Sequence, residues 1–242
     1  MASVKEHYDH FLGPYYSWIS GGLAGKVAEN RKFFLDHHIR PGASRAAVDL
    51  GAGSGFQTIP LAEAGFRVTA IDANEGLLAE LANNAAGLPV VTVKDDLLHF
   101  PRHIPDRNEL IVCMGDTLTH LQRLQDVQTL LEKAFHALDV QGRLILDFRD
   151  LSVELFELDR FIPVRSDANR IFTCFLEYEE KHVKVHDILY ERDHDGWRMK
   201  KSFFRKLRIS SQWIKNLLRD VGFEIETFEV GKGRVTLVAR RP

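Results

Sequence analysis

Residues 48–72, VDLGAGSGFQTIPLAEAGFRVTAID, constrain this chain more than any other stretch. An apolar run ends at Asp49 and Leu50, and Gly51, Gly53 and Gly55 follow at alternate positions. Glycine reaches backbone conformations closed to other residues and carries no Cβ, so the spacing predicts a tight turn whose amides stand open to a ligand. Phe56, Ile59, Leu61 and Ala62 then recur at helical intervals, Gly65 stops the helix, and residues 67–71 read as a second strand delivering Asp72 to the same sheet edge. A carboxylate there is expected to grip the paired hydroxyls of a ribose.

The same alternation continues. Residues 75–84 read as a helix, 90–93 as a strand running on to Asp95 and Asp96, 110–114 as a strand, 124–138 as a helix and 144–148 as a strand after a turn at Gln141-Gly142. Such a rhythm predicts a parallel sheet covered on both faces, with ligands outside the carboxyl ends of the strands. Upstream, residues 8–38 look helical but broken at Gly13-Pro14 and Gly21-Gly22, like a flap. Downstream, Phe172, Cys174, Leu176 and Tyr178 alternate within an antiparallel region, with Asp195-Gly196 as a two-residue hairpin turn. Ser210 or Ser211 then caps a helix that Gly222 ends, and two closing strands, 223–230 and 235–240, are joined through Gly231 and Gly233. The expected architecture is α/β, a doubly wound and mostly parallel seven-stranded sheet in a single domain of residues 1–242. Within it lie a helical flap (1–40), a core (45–150), an antiparallel insertion on the substrate side (165–208), and a closing helix and strands (209–242).

Composition narrows the function. With 45% hydrophobic and 27% charged residues over 242 positions, the chain has the make-up of a soluble globular domain. A net charge of −2 disfavours nucleic acid as a partner. The densest basic run, Lys200, Lys201, Arg205, Lys206 and Arg208, reads as a solvated face. Cys113 and Cys174 lie in apolar runs without metal spacing, which with the absence of any signal-like or membrane-spanning apolar stretch predicts a reduced, cytoplasmic setting. Eleven histidines show no His-Glu-x-x-His pattern, so no metal is expected.

A dinucleotide fingerprint would need its third glycine where this chain has Phe56, and no Lys-Ser or Lys-Thr follows the turn as in a P-loop. Gly-x-Gly-x-Gly preceded by an acid instead resembles the first motif of the Rossmann-like S-adenosylmethionine (SAM)-dependent methyltransferases. The resemblance implies SAM as cofactor, with Asp49, Gly51, Ala52 and Gly53 around the turn and Asp72 and Ala73 at the ribose. Asp96 and Leu97 would lie at the adenine, and Met114 and Gly115 after the fourth strand. Within that class the segment CMGDTLTHL, Cys113 to Leu121, resembles the Cys-Leu-Gly-Asn-Ser-x-x-His-Leu pattern of glycine and sarcosine N-methyltransferases, with Asp116 in place of asparagine, which would put a negative charge in the substrate-binding site. By the same likeness Arg149 would bind a substrate carboxylate and Lys26 the methionine carboxylate of SAM, while Tyr8 and Trp18 would stand near the cofactor.

Transfer of a methyl group to an amine needs alignment above all, and holding two reactants in attack geometry is worth roughly 7–11 kcal/mol. An amine must also lose a proton, which His120 or Asp116 could receive. The expected function is methyl transfer to a small molecule, an amine bearing a carboxylate being the favoured acceptor. A nicotinamide-dependent oxidoreductase on a similar sheet and a non-catalytic SAM-binding module are the alternatives. Arg149 could otherwise serve only as an ion-pair partner of Asp147 or Asp150.

Overall fold

A computed structural model describes residues 4–104 and 107–242. Strands β1 (Ala46–Leu50), β2 (Arg67–Asp72), β3 (Val90–Lys94), β4 (Asn108–Cys113), β5 (Leu138–Arg149), β10 (Glu224–Gly231) and β11 (Arg234–Arg240) form one sheet in the order β10-β11-β5-β4-β1-β2-β3. β3-β2-β1-β4-β5 are parallel, while β11 returns antiparallel to β5 and β10 antiparallel to β11. The central strand β1, AAVDL, is buried at every position. Such a strand is stable only with both faces covered. The helices α3 (Leu23–Asp36), α4 (Thr58–Glu63), α5 (Glu75–Asn84), α6 (Leu124–Ala137) and α7 (Ser211–Val221) supply the cover, after the short turns α1 (Val4–His7) and α2 (Tyr16–Ile19). Val48, Ile111, Leu130 and Leu144 lie in one core cluster, and Leu61, Phe66, Val112 and Ile145 in another. Each such side chain contributes roughly 1.5–3 kcal/mol of burial.

Helix ends follow their sequence signals. Asn74 accepts from the Leu77 amide at 2.8 Å to start α5, and Ser210 from the Trp213 amide at 3.1 Å to start α7. Gly222, at φ 111°, ends α7 in the left-handed conformation. The β10–β11 turn, Lys232-Gly233, has φ of 50° and 74°, as a tight primed hairpin turn requires.

Three details differ from the sequence expectation. β5 begins at Leu138, six residues before the expected start: Gln141 (φ 68°) and Gly142 form a bulge inside the strand, pinned by the Gln141 amide on the Arg241 carbonyl at 2.8 Å. The expected Asp195-Gly196 hairpin turn is His194-Asp195 instead, with Gly196 at φ 118° already paired to Asp193. The antiparallel sheet β6-β7-β8-β9 starts at Phe161 rather than 165, because β6 (Phe161–Ser166) joins β7 (Arg170–Tyr178), β8 (His182–Asp193) and β9 (Gly196–Leu207) as an edge strand. β6 carries Pro163 and almost no buried positions, so it shows no alternation to read.

Candidate active site

The carboxyl ends of β1, β2, β3 and β4 open into a cavity of about 250 Å³. The glycine turn forms its floor. A Cβ on Gly51 (φ 78°) would lie 2.3 Å from Thr117 Cγ2, and one on Gly53 (φ 50°) 3.2 Å from Tyr16 Cε1. Both glycines therefore sit where neighbours approach the backbone. Gly55 serves packing instead, since its Cβ would strike Leu81 Cδ1 at 2.4 Å; it lets α5 pack against the turn and does not line the cavity. Asp49 and Ala52 are buried beneath the turn, outside the lining. Asp49 accepts from the Thr58 hydroxyl at 2.6 Å, and burial pushes its carboxyl up to about 7.

Asp72 ties the turn to the end of β2. It accepts from the Gly53 amide at 2.9 Å and the Asn74 amide at 2.8 Å, and lines the cavity with Ala73 and Asn74. Burial raises its carboxyl above the ordinary range, and the Asn74, Gly53 and Ala73 amides oppose the rise. Each bond uses one carboxylate oxygen, so further lone pairs stay available for a ligand's hydroxyls. Asp96 and Leu97 stand on the opposite wall, where Asp96 accepts from the Leu98 amide at 2.8 Å and caps the turn that follows. Its neighbour Asp95 is held well below the usual carboxylate range by His103 and His99.

The loop after β4 closes the far end. Gly115 and His120 line the cavity, whereas Met114 is 7% exposed and packs in the core. Asp116 adopts the left-handed conformation, φ 73°, and its carboxylate is engaged on three sides. Oδ1 accepts from the Arg149 amide at 2.6 Å, and Oδ2 lies 2.9 Å from Lys206 Nζ and 3.4 Å from Arg149 Nε. Burial would raise Asp116, but Lys206 and then Arg149 and Arg234 outweigh it and hold the carboxyl far below its ordinary range. His120 is the reverse case. Its Nε2 is buried with no hydrogen-bond partner among the described residues, and burial followed by the Lys206 charge pulls the imidazole down to about 3.

Arg149 therefore pairs with Asp116, and neither of the neighbours expected for it is its partner. Asp147 takes both guanidinium arms of Arg234 plus the Thr236 hydroxyl, while Asp150 accepts from Ser152 and from the Ser211 amide. Sequence reasoning offered no candidate role for Lys206 beyond a solvated face. Alternation along β9 puts it on the face of Phe204, while Arg205 on the other face pairs with Glu179.

The N-terminal segment roofs the cavity. Tyr8 and Tyr16 both line it, their rings 5.9 Å apart, and Tyr16 stacks on Phe56 at 5.4 Å. Trp18 points away, donating to Asp167 at 2.7 Å, and Lys26 is paired with Glu29 at 2.6 Å outside the lining. Asp9 receives the Asn74 amide group at 2.7 Å, tying the roof to the start of α5. Tyr16 escaped the sequence reading because helical periodicity does not reveal which aromatic in a broken helix faces a neighbouring turn. Among the described residues no cluster holds metal-ligating geometry, and no helix is long and apolar enough to cross a membrane.

Residues 47–142 match the methyltransferase domain family. The glycine/sarcosine N-methyltransferase of Halorhodospira halochloris is 35% identical over 149 residues, covering 61% of this chain and 54% of that protein. The enzyme of the same name from Aphanothece halophytica is 34% identical over 128 residues, covering 52% and 48%. This chain thus spans about half the length of the curated relatives it matches. Among solved structures, SAM-bound CalS10, an amino pentose methyltransferase from Micromonospora echinaspora, superposes with a TM-score of 0.69 at 15% identity, covering 100% of this chain and 99% of that one. That likeness is one of fold.

Proposed function

We propose that this chain, which belongs to the Rossmann-like SAM-dependent methyltransferases, transfers a methyl group to the nitrogen of a small molecule, an amine that also bears a carboxylate. The observation that carries this reading is convergence: a glycine turn, the strand-end carboxylates Asp72 and Asp96, and the loop that carries His120 all line one cavity. The amine class rests on the N-methyltransferase relatives and on the matched segment 113–121.

The residues present fit SAM. Asp72 retains acceptor capacity for ribose hydroxyls, and a side chain on Gly53 would enter the space between the turn and Tyr16. Asp96 and Leu97 bracket the place for the adenine. When bound, SAM supplies a methyl group on a cationic sulfur and leaves as a neutral thioether. The chain's own residues align, exclude water and manage charge. Tyr8 and Tyr16 roof the site, and Arg149, with 57% of its side chain exposed, offers its outer guanidinium nitrogens to an acceptor carboxylate. Asp116 serves as a brace for Lys206 and Arg149, since a carboxylate so strongly held by cations is a poor proton acceptor. His120 stays uncharged at the far end of the site, and the amine's proton passes to water.

Incubating the protein with SAM and a panel of small amines, amino acids, carboxylates and alcohols, and measuring S-adenosylhomocysteine, tests the proposal. Turnover confined to amines that carry a carboxylate is expected. Turnover only with alcohols, or with none of the panel despite tight SAM binding, contradicts it.

A further inference from the structure

The antiparallel sheet β6-β7-β8-β9 is apolar on both faces, and only one of them is covered. Phe172, Leu176, Val183, Val185, Leu189 and Phe204 point inward, into clusters shared with the N-terminal segment. Alternation puts Ile171 and Phe175 of β7, Ile188 and Tyr190 of β8, and Met199 and Phe203 of β9 on the outer face. Among the described residues none of these six joins a core cluster. Phe161, Phe175, His186 and Phe203 form a ladder across all four strands, with successive ring centroids 4.7, 5.7 and 5.6 Å apart. An antiparallel sheet with one face in water carries polar residues on that face. This outer face breaks the rule, so its composition asks for a cover.

We propose that the outer face is the interface of a homodimer, each copy covering it with the same sheet of the other. Phe161, Ile171, Tyr190, Trp197 and Met199 are 38–52% exposed. At about 200 Å² for a large side chain, these five leave roughly 450 Å² in water. Pro163 and Lys201, both exposed, and the half-buried Phe175, Ile188 and Phe203 extend the face toward the roughly 800 Å² per partner of a standard stable interface. Two such sheets stack about 10 Å apart with their side chains interdigitated.

The charges fit a second copy of the chain. Lys184 and His186 pair with Glu177, and Arg205 with Glu179, so these groups are compensated within one chain. Lys201 stands on β9 at one edge of the sheet, while the turn into β6 at the other edge, Glu157 to Arg160, carries two acids against one base. A two-fold axis along the strands sets the β9 edge of each copy over the β6 edge of the other. That symmetry brings each Lys201 toward the acidic turn of its partner and makes the same contact twice.

Sedimentation equilibrium of the intact chain across micromolar concentrations tests the proposal. The expected mass is twice the 27.6 kDa of one chain, and the unfolding midpoint should rise with protein concentration. Met199→Glu and Ile171→Glu each place a charge on the solvent side of a strand, so circular dichroism should match the wild type while the dimer dissociation constant rises at least tenfold. Val91→Glu, at an exposed position on β3 of the other sheet, should leave the dimer unchanged. A wild-type chain that is monomeric throughout, whether free or bound to vesicles of anionic phospholipid, would overturn the proposal. A dimer that survives both face substitutions, or one that Val91→Glu disrupts equally, would overturn it too.

Discussion

The cofactor wall of the cavity and the side-chain cluster behind its far end are built by different means. The cofactor wall is mostly backbone and strand ends: the Gly53 amide meets the Asp72 carboxylate across 19 residues of sequence. The cluster, which lies outside the cavity lining, is made of side chains brought together over long separations. Lys206 meets Asp116 across 90 residues, and His7 meets Asp187 across 180. Main-chain geometry needs particular residues at fixed spacing, so it leaves a motif. A cluster of distant side chains leaves a surface that any substitution on either partner can reshape.

The largest effect expected from this contrast falls on the cofactor wall. Gly53→Val places a branched side chain at φ 50° and within 3.2 Å of the Tyr16 ring, in the space where a ligand would meet the backbone. SAM binding measured by calorimetry should be lost altogether, and wild-type affinity would mean that the turn never meets the ligand.

Asp72→Ala should come next. Losing charged hydrogen bonds to buried hydroxyls costs about 1.5–3 kcal/mol, roughly a ten- to hundredfold rise in Kd. The circular dichroism spectrum should stay unchanged, which separates a lost contact from a lost fold.

How much of this could be read beforehand follows the same division. Gly51, Gly53 and Asp72 sit in one short window, and the strand–helix rhythm places Asp96 and Gly115 at the same sheet edge. Gly55 was legible as a glycine but not as the partner of Leu81, because helix packing and ligand approach ask for the same residue. Lys206 was invisible. Its inward orientation depends on the β9 register, and its neighbours Lys200, Lys201 and Arg205 make the run look uniformly solvated. β6 was missed because an exposed edge strand with a proline carries no period-two signal.

A smaller effect sharpens the role of Asp49, which lies under the turn rather than in the cavity. Its folded-state carboxyl is raised to about 7 from 3.8 by burial. Between those values the folded chain binds the proton and the unfolded chain does not, so stability falls as pH rises through this window. The penalty is fully present only above the raised value. Asp49→Asn keeps an oxygen for the Thr58 hydroxyl and removes the penalty. Denaturant unfolding should show the variant gaining on the wild type by on the order of 2 kcal/mol between about pH 5 and pH 8. A gain independent of pH would place an ionised Asp49 in the folded protein.

The smallest effect belongs to the side-chain cluster around Asp116. Arg149→Lys keeps the charge beside Asp116 but loses the fork that can hold a carboxylate with two bonds. Acceptor KM should rise several-fold while SAM Kd stays within error. Equal acceptor kinetics would leave Arg149 as an ion-pair partner of Asp116 alone.

The cofactor wall itself is tested most directly by titrating the unmodified protein with SAM and, separately, with NADH in a calorimeter. One equivalent of SAM should bind and NADH should give no saturable heat. Saturable binding of NADH with none of SAM would mean that the Gly51–Gly53 turn and Asp72 serve a dinucleotide, and the methyltransferase account of this cavity would fall.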